Sequence, residues 1–391
     1  MRSPLNRPIY MDHHATTPVA VEVLDAMLPY FTEQFGNASS IDSQYGSTAS
    51  QAVEKARRQV AAALNSKMDE IVFTSGATES DNLALLGVAQ ARASDGKHII
   101  TSAIEHSAVL DTCRFLESAG WSVTYVPVGV DGSVSPDEIS ASIRPDTVLI
   151  SIMTANNEIG TIEPIAEIGA LARDRGITFH TDASQAVGYV PVDVQELDSD
   201  LLSLSAHKMY GPKGVGALFV RRHLTRTKLL AQAHGGGHER RLRPGTLNVP
   251  GIVGLGMAIE IATRNMITEA VRYRTMRKRL LAQLQAAIPD IEVNGHLERR
   301  LPHNLSVYIP GIESHSLLVQ LENVVALSTG SACTTASVEP SHVILALGFG
   351  EERAHGTIRF GLGRSNTEQE IDAVASHIGH AVARLRSLAV R

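Results

Sequence analysis

The feature that most constrains this chain is a unit repeated between residues 71 and 208: a short β-rich run followed by a polar loop. Ile71-Val72-Phe73-Thr74 leads into Ser75-Gly76-Ala77-Thr78-Glu79-Ser80 and a helical pattern from about Asp81. His98-Ile99-Ile100-Thr101 leads into Ile104-Glu105-His106-Ser107 and a helical pattern over 109–119. The run 147–153 leads into Asn156-Asn157-Glu158 and a helical pattern over 165–175. Ile177-Thr178-Phe179-His180 leads into Thr181-Asp182-Ala183-Ser184-Gln185, and Leu201-Leu202-Ser203-Leu204 into Ser205-Ala206-His207-Lys208. Strands alternating with helices fold as a mostly parallel α/β sheet. In such sheets the ligand sits beyond the carboxyl ends of the strands. Thr78, His106, Asn157, Asp182, Gln185, Ser205, His207 and Lys208 all follow β-runs, so the pattern expects them on one rim.

The rest of the chain frames this unit. Residues 1–18 read as an irregular arm with the polar cluster Asp12-His13-His14-Ala15-Thr16-Thr17, and 19–31 as a short helix. A loop at 36–40 precedes a helix over about 47–64. Helical pattern returns at 252–263, and a longer amphipathic helix carries Tyr273, Met276, Leu280, Leu284 and Ile288 on one face. We place a domain boundary near residue 264. Beyond it the pattern is α+β: strands at 304–309, 324–327 and 357–360, helices at 314–322, 340–347 and 368–388, and a loop at 328–337.

At 391 residues, two domains or a large and a smaller lobe are expected. The formal net charge of -6 offers no electrostatic case for nucleic-acid binding. No apolar run reaches membrane-spanning length, and residues 1–10 lack a signal-peptide core, so a cytoplasmic protein is expected. Two cysteines, Cys113 and Cys333, exclude a disulfide scaffold and a cysteine zinc site. His13-His14 and His234 with His238 are the best candidates for a metal, but no His-Glu-x-x-His occurs, and no metal is expected.

Several residues bear chemistry. Lys208 sits among small residues between two apolar runs; it is either a hairpin lysine or a desolvated amine, which is a nucleophile toward aldehydes. Gly76-Ala77-Thr78 at a strand-to-helix junction suits an anion or a simple helix cap. No Walker lysine accompanies it, which speaks against a nucleoside triphosphate. Asp182 is a paired structural charge or the partner of a bound cation such as a pyridinium nitrogen. His106 is a cap or a general acid–base group. Arg359 is an ordinary ion pair or a clamp for a substrate carboxylate. Cys333 lies in Gly330-Ser331-Ala332-Cys333-Thr334, a small-residue loop suited to a reactive thiol, whereas Cys113 falls in helical pattern and reads as packing.

Taken together, Gly76-Ala77-Thr78-Glu79-Ser80, Glu105-His106, Asn156-Asn157-Glu158-Ile159-Gly160, Asp182-Ala183-Ser184-Gln185, Ser205-Ala206-His207-Lys208, Gly235-Gly236-Gly237-His238-Glu239 with Arg243-Pro244-Gly245-Thr246, and the Cys333 motif resemble the cysteine desulfurases of the NifS/IscS type, in the class V aminotransferase family. The resemblance runs from about Tyr10 to the closing helix. It implies the fold-type I architecture of pyridoxal-phosphate (PLP) transferases. A large PLP-binding α/β domain would span 15–263, and a small α+β domain would combine 1–14 with 264–391 and carry the Cys333 loop.

The roles it implies are specific. Lys208 would hold PLP as a Schiff base. His106 would stack on the ring and move protons, Asp182 would pair with the ring nitrogen, and Gln185 would hydrogen-bond the phenolic oxygen. Ala77, Thr78, Ser205 and His207 would hold the phosphate, joined by Thr246 from the other subunit of a homodimer. Asn37, Asn157 and Arg359 would bind substrate, and Asn157 would also contact the cofactor. Cys333 would take sulfur from L-cysteine as a persulfide, release L-alanine, and pass the sulfur to an acceptor protein for iron–sulfur clusters or for thiolation of tRNA or DNA.

Two positions depart from the family pattern: Ala38, where proline is common, and Gly361, where serine commonly follows Arg359-Phe360. The chain ends soon after the closing helix, so no C-terminal extension toward an iron–sulfur scaffold is expected. A selenocysteine lyase or another class V enzyme is the rival reading. A non-catalytic PLP-fold subunit of a sulfur-transfer complex is the rival of another class.

Overall fold

The structure is a computed structural model that describes residues 7–222, 226–329 and 339–389. Its strands in chain order are β1 (Ile9–Tyr10), β2 (Ile71–Thr74), β3 (His98–Ser102), β4 (Ser122–Val126), β5 (Thr147–Ser151), β6 (Thr178–Asp182), β7 (Leu201–Ser205), β8 (Gly216–Val220), β9 (Glu292–Val293), β10 (Asn304–Tyr308), β11 (Val325–Ala326), β12 (Ser328–Thr329) and β13 (Thr357–Gly361).

Seven of them form one sheet in the order β2-β8-β7-β6-β5-β3-β4. Its pairs are parallel except those of β8, which runs against both β2 and β7. The interior strands are buried along their whole length, which is why they read as near-continuous apolar runs. The edge strand β4 is half-exposed and mixes Ser122 and Thr124 with Val123 and Tyr125; the sequence reading passed over it. Successive strands leave β3 in opposite directions, β4 on one side and β5 on the other, so a topological switch point lies at its carboxyl end.

A second sheet is antiparallel, in the order β12-β13-β10-β9. The amino-terminal arm joins it to the rest. Ile9 and Tyr10 pair in parallel with Val325 and Ala326, and Asp12 bridges to Gly361. The arm is therefore hydrogen-bonded structure, not the irregular segment its composition suggested.

One helix, Val249–Ala287, replaces the two helical patterns expected around residue 264, which lies inside it. Its later half buries Tyr273, Met276, Leu280 and Leu284, and it packs against the helices Gln44–Ala63 and Glu368–Ala389. No helix among the described residues is long and apolar enough to cross a membrane.

Candidate active site

The carboxyl ends of β2, β3, β5, β6 and β7 open on one cavity of about 500 Å³. Ala77, Thr78, His106, Asn157, Asp182, Gln185, Ser205, His207, Lys208 and Arg359 all line it. The loop after β2 turns into the helix Ala77–Arg92 through Gly76, whose φ of 153° and ψ of -177° only glycine adopts readily. The N-cap residue Gly76 supplies no side-chain cap, so the first N–H groups of that helix, with Thr78, suit an anion.

Lys208 closes a 3-10 turn (Ala206–Lys208) that joins the antiparallel neighbours β7 and β8. It is thus in a hairpin and at the cavity at once. Its Nζ donates to the carbonyls of His14 at 2.5 Å and Ala15 at 2.9 Å, so the arm supplies the acceptors for the amine. His207 Nδ1 meets Thr16 Oγ1 at 3.1 Å. Burial, with Lys208 and Lys213 nearby, pushes its pKa down to about 4, and the ring stays neutral near pH 7.

Asp182 ends β6 and is nearly buried; its Oδ1 accepts from the Ser184 amide at 2.8 Å. Gln185 follows on the same turn, and His14 Nδ1 lies 2.9 Å from its Oε1. His106 caps the helix Ser107–Ser118, its Nδ1 accepting from the Ala108 amide at 3.1 Å, while its ring lines the cavity. The cap and the site are the same side chain. Beside it Glu105 accepts from Ser102 Oγ at 2.6 Å and from the Met153 amide at 2.9 Å, tying the β3 loop to the β5 loop. Burial raises the Glu105 carboxyl to about 8.

Arg359 comes from β13 of the second sheet and is 1% exposed. Its Nη1 donates to the Asn157 carbonyl at 3.0 Å and its Nη2 to Asp12 Oδ1 at 2.8 Å; its buried Nε has no protein partner. A guanidinium at the cavity wall with donors to spare suits a carboxylate ligand.

Not every expected residue is here. Asn37 is exposed and its Oδ1 accepts from the Ser39 amide; Thr246 is also exposed, and neither lines the cavity. Cys333 lies outside the described residues. Cys113 is fully buried, and burial pushes its thiol up to about 12. Sequence reasoning did not place His14, Asp12, Ser184 or Lys213 at this site. The Asp12-His13-His14 cluster was visible, but only long-range pairing of the arm shows where it goes.

The match to protein families fits this geometry. A family model described as aminotransferase class-V matches residues 9–374. The chain belongs to the class-V aminotransferase family. It is 51% identical over 381 residues to the cysteine desulfurase IscS of Anaeromyxobacter dehalogenans, covering 97% of this chain and 94% of that one. A solved NifS-like protein superposes with a TM-score of 0.90 at 37% identity, over 96% of this chain and 99% of the other. SspA, solved in complex with cysteine, gives 0.78 at 38% identity, over 90% and 98%. The fold is the fold-type I architecture of PLP transferases, as the sequence resemblance implies.

The family is PLP-dependent, and the donor set of this cavity suits that cofactor. An uncapped helix start with Thr78 and Ser205 would take a phosphate. Buried Asp182 would take a pyridinium nitrogen, and Lys208 an aldehyde carbon. Ser184 Oγ is buried at the cavity without a protein partner, a further polar group available to a bound ligand.

Proposed function

We propose that this cavity performs the chemistry of a cysteine desulfurase, with PLP held by Lys208 and L-cysteine as substrate. The observation that carries the reading is the gathering of Lys208, Asp182, the uncapped helix start at Ala77 and Arg359 around one cavity. The 51% identity to an IscS desulfurase supports it, as does the likeness to an SspA chain solved with cysteine.

When bound, PLP supplies an electron sink for charge left on the substrate carbon. The protein does the rest. Ala77, Thr78, Ser205 and His207 hold the phosphate, Gln185 donates to the phenolic oxygen, and Asp182 keeps the ring nitrogen protonated. Arg359 and Asn157 take the substrate carboxylate, with Asn37 contributing to substrate binding. His106 faces the ring and moves protons, and Lys208 moves protons at the substrate carbon. The Cys333 thiolate attacks the substrate sulfur. The carbon–sulfur bond breaks, its electron pair stays with carbon, and carbon takes a proton and leaves as L-alanine. Cys333 keeps the sulfur as a persulfide and hands it to an acceptor protein that serves iron–sulfur clusters or thiolates tRNA or DNA.

The proposal includes a cytoplasmic homodimer in which Thr246 crosses to the partner's phosphate site; its exposure and its absence from the lining of its own cavity support that. It also includes a large unit over 15–263 and a small one of 1–14 with 264–391, supported by the separate antiparallel sheet.

The test is release of alanine and sulfide from L-cysteine with a thiol reductant, for wild type and Cys333→Ser side by side. Equal amounts of both products from wild type and neither from the variant are expected. A wild type that binds PLP yet makes no alanine would overturn the reading.

A further inference from the structure

A chain of one-way hydrogen bonds ends at Gln185. Arg300 Nη2 donates to Asn304 Oδ1 at 2.8 Å. Arginine can only donate, so this atom is the amide oxygen. The other end of the amide, Nδ2, faces the Glu158 carbonyl at 3.1 Å, which can only accept. Both neighbours fix Asn304 the same way round. Asn304 Nδ2 then faces His14 Nε2 at 3.1 Å, so Nε2 must accept. A neutral imidazole with an accepting Nε2 carries its proton on Nδ1. That Nδ1 lies 2.9 Å from Gln185 Oε1 and donates to it. Gln185 Nε2 gives one hydrogen to the His14 carbonyl at 3.1 Å. Its second N–H is left for the cavity that Gln185 lines. A flipped Gln185 amide would set carbonyl against carbonyl and N–H against N–H.

The surroundings keep His14 in that state. Its ring is 1% exposed and stacks on His303 at 4.3 Å. His303, itself buried and neutral, stacks on Tyr189 at 3.7 Å. Burial above all, then His303, Arg359 and Lys208 beside it, hold the His14 pKa well below the usual range against the opposing hydrogen bond to Gln185. The backbone also makes room for the ring. A Cβ at Gly361 would fall 2.7 Å from the His14 amide nitrogen and 2.9 Å from ring Cδ2. The His13 amide nitrogen lies at 2.8 Å as well, so glycine at 361 is required by the backbone of the arm and not by the ring alone.

We propose that His14 is a positioning residue: its Nδ1–H locks the Gln185 amide so that an N–H, not a carbonyl, is presented to the ligand oxygen in the cavity. This rests on the PLP reading, in which that oxygen is the phenolate of the cofactor. A donor stabilises the phenolate charge and eases loss of the proton it shares with the lysine-bound nitrogen. Loss of the lock raises the pH at which that proton leaves.

The experiment titrates the visible absorbance of PLP-loaded protein with pH. His14→Ala is expected to move the midpoint upward by about one pH unit, a tenfold change in the proton equilibrium. Gln185→Ala moves it at least as far, and the double variant no further than Gln185→Ala. His14→Asn, whose side-chain amide reaches the Nδ1 position, restores the wild-type midpoint. A midpoint moved by Gln185→Ala but untouched by His14→Ala overturns the proposal. A second measurement needs no cofactor and no variant that must fold without the ring. In wild-type protein labelled with ¹⁵N-histidine, the His14 signal is expected to show a neutral ring protonated at Nδ1 from about pH 6 to 8. A proton on Nε2 overturns the proposal. A wild-type chain that takes up no PLP sinks the function reading alone, because the ring measurement still decides this one.

Discussion

Arg359 and Asp12 stand 347 residues apart in sequence, yet Arg359 Nη2 donates to Asp12 Oδ1 at 2.8 Å. The other oxygen of Asp12 accepts from Ser328 Oγ at 2.8 Å. The arm thus orients the guanidinium by its outer edge while Nη1 holds the Asn157 carbonyl.

Arg359→Lys is expected to raise KM for L-cysteine about ten- to hundredfold, with a smaller effect on kcat. A lysine keeps the charge but loses the planar fork that can serve Asp12, Asn157 and a substrate carboxylate together, and one charge-assisted hydrogen bond contributes about 1.5–3 kcal/mol. Steady-state kinetics checks this; an unchanged KM would remove Arg359 from substrate binding.

Lys208→Ala is expected to abolish both the visible absorbance of PLP-loaded protein and turnover. The Nζ rests on the His14 and Ala15 carbonyls at the cavity that Asp182 and Ala77 line, and Lys213, which also lines it, is not expected to replace Lys208. Colour and activity that survive together in this variant would displace the central assignment.

Cys113 is expected to resist alkylation at pH 8 in folded protein, while Cys333 is modified. The buried Cys113 thiol is raised to about 12, so almost no thiolate is present. Peptide mass spectrometry after brief iodoacetamide treatment reads both sites. Cys113→Ser should leave desulfuration within about twofold of wild type, because a buried substitution that does not line the cavity acts on stability. Early labelling of Cys113 would contradict its burial.

Thermal stability is expected to fall as pH rises from about 7.5 to 8.5. Burial lifts Glu158 to about 7 and Glu105 and Glu163 to about 8, against 4.5 unfolded. Between these values the folded chain holds more protons than the unfolded one, so raising pH favours unfolding. His180 and His207 act oppositely. Their folded values near 4 against 6.5 unfolded remove stability as pH falls from 6.5 toward 4. His13, His14, His98, His303 and His342 are lowered in the same sense, and only above about pH 7.5, where unfolded histidines are mostly neutral, do the carboxyls dominate. Glu163→Gln should flatten part of that limb, since Glu163 Oε1 is buried without a partner and its Oε2 only accepts from the Val134 amide. A melting temperature that climbs from about pH 7.5 to 8.5 in wild type would show that these carboxyls are ionised in the fold.

Much of the site was legible because its chemistry sits at strand ends. Thr78, His106, Asn157, Asp182 and Lys208 each follow a β-run directly, and a mostly parallel sheet delivers such residues to one rim whatever the details of the loops. The edge strand Ser122–Val126 was passed over because its mixed, half-exposed composition carries little apolar signal. The two helical patterns on either side of residue 264 proved to be one helix, since none of residues 263–269 is buried and the missing apolar signal looks, in sequence, like a break.

The sequence by itself determined the alternation of strands and helices, the rim and the family. These follow from local periodicity and from motifs a few residues long. Only the tertiary structure decided what the arm does. Asp12 reaches Arg359 and His14 reaches Gln185 and Asn304 across 171 to 347 residues of chain. Those contacts depend on the pairing of Ile9 with Val325 and of Asp12 with Gly361, a register set by where two sheets meet and not by anything within the arm itself.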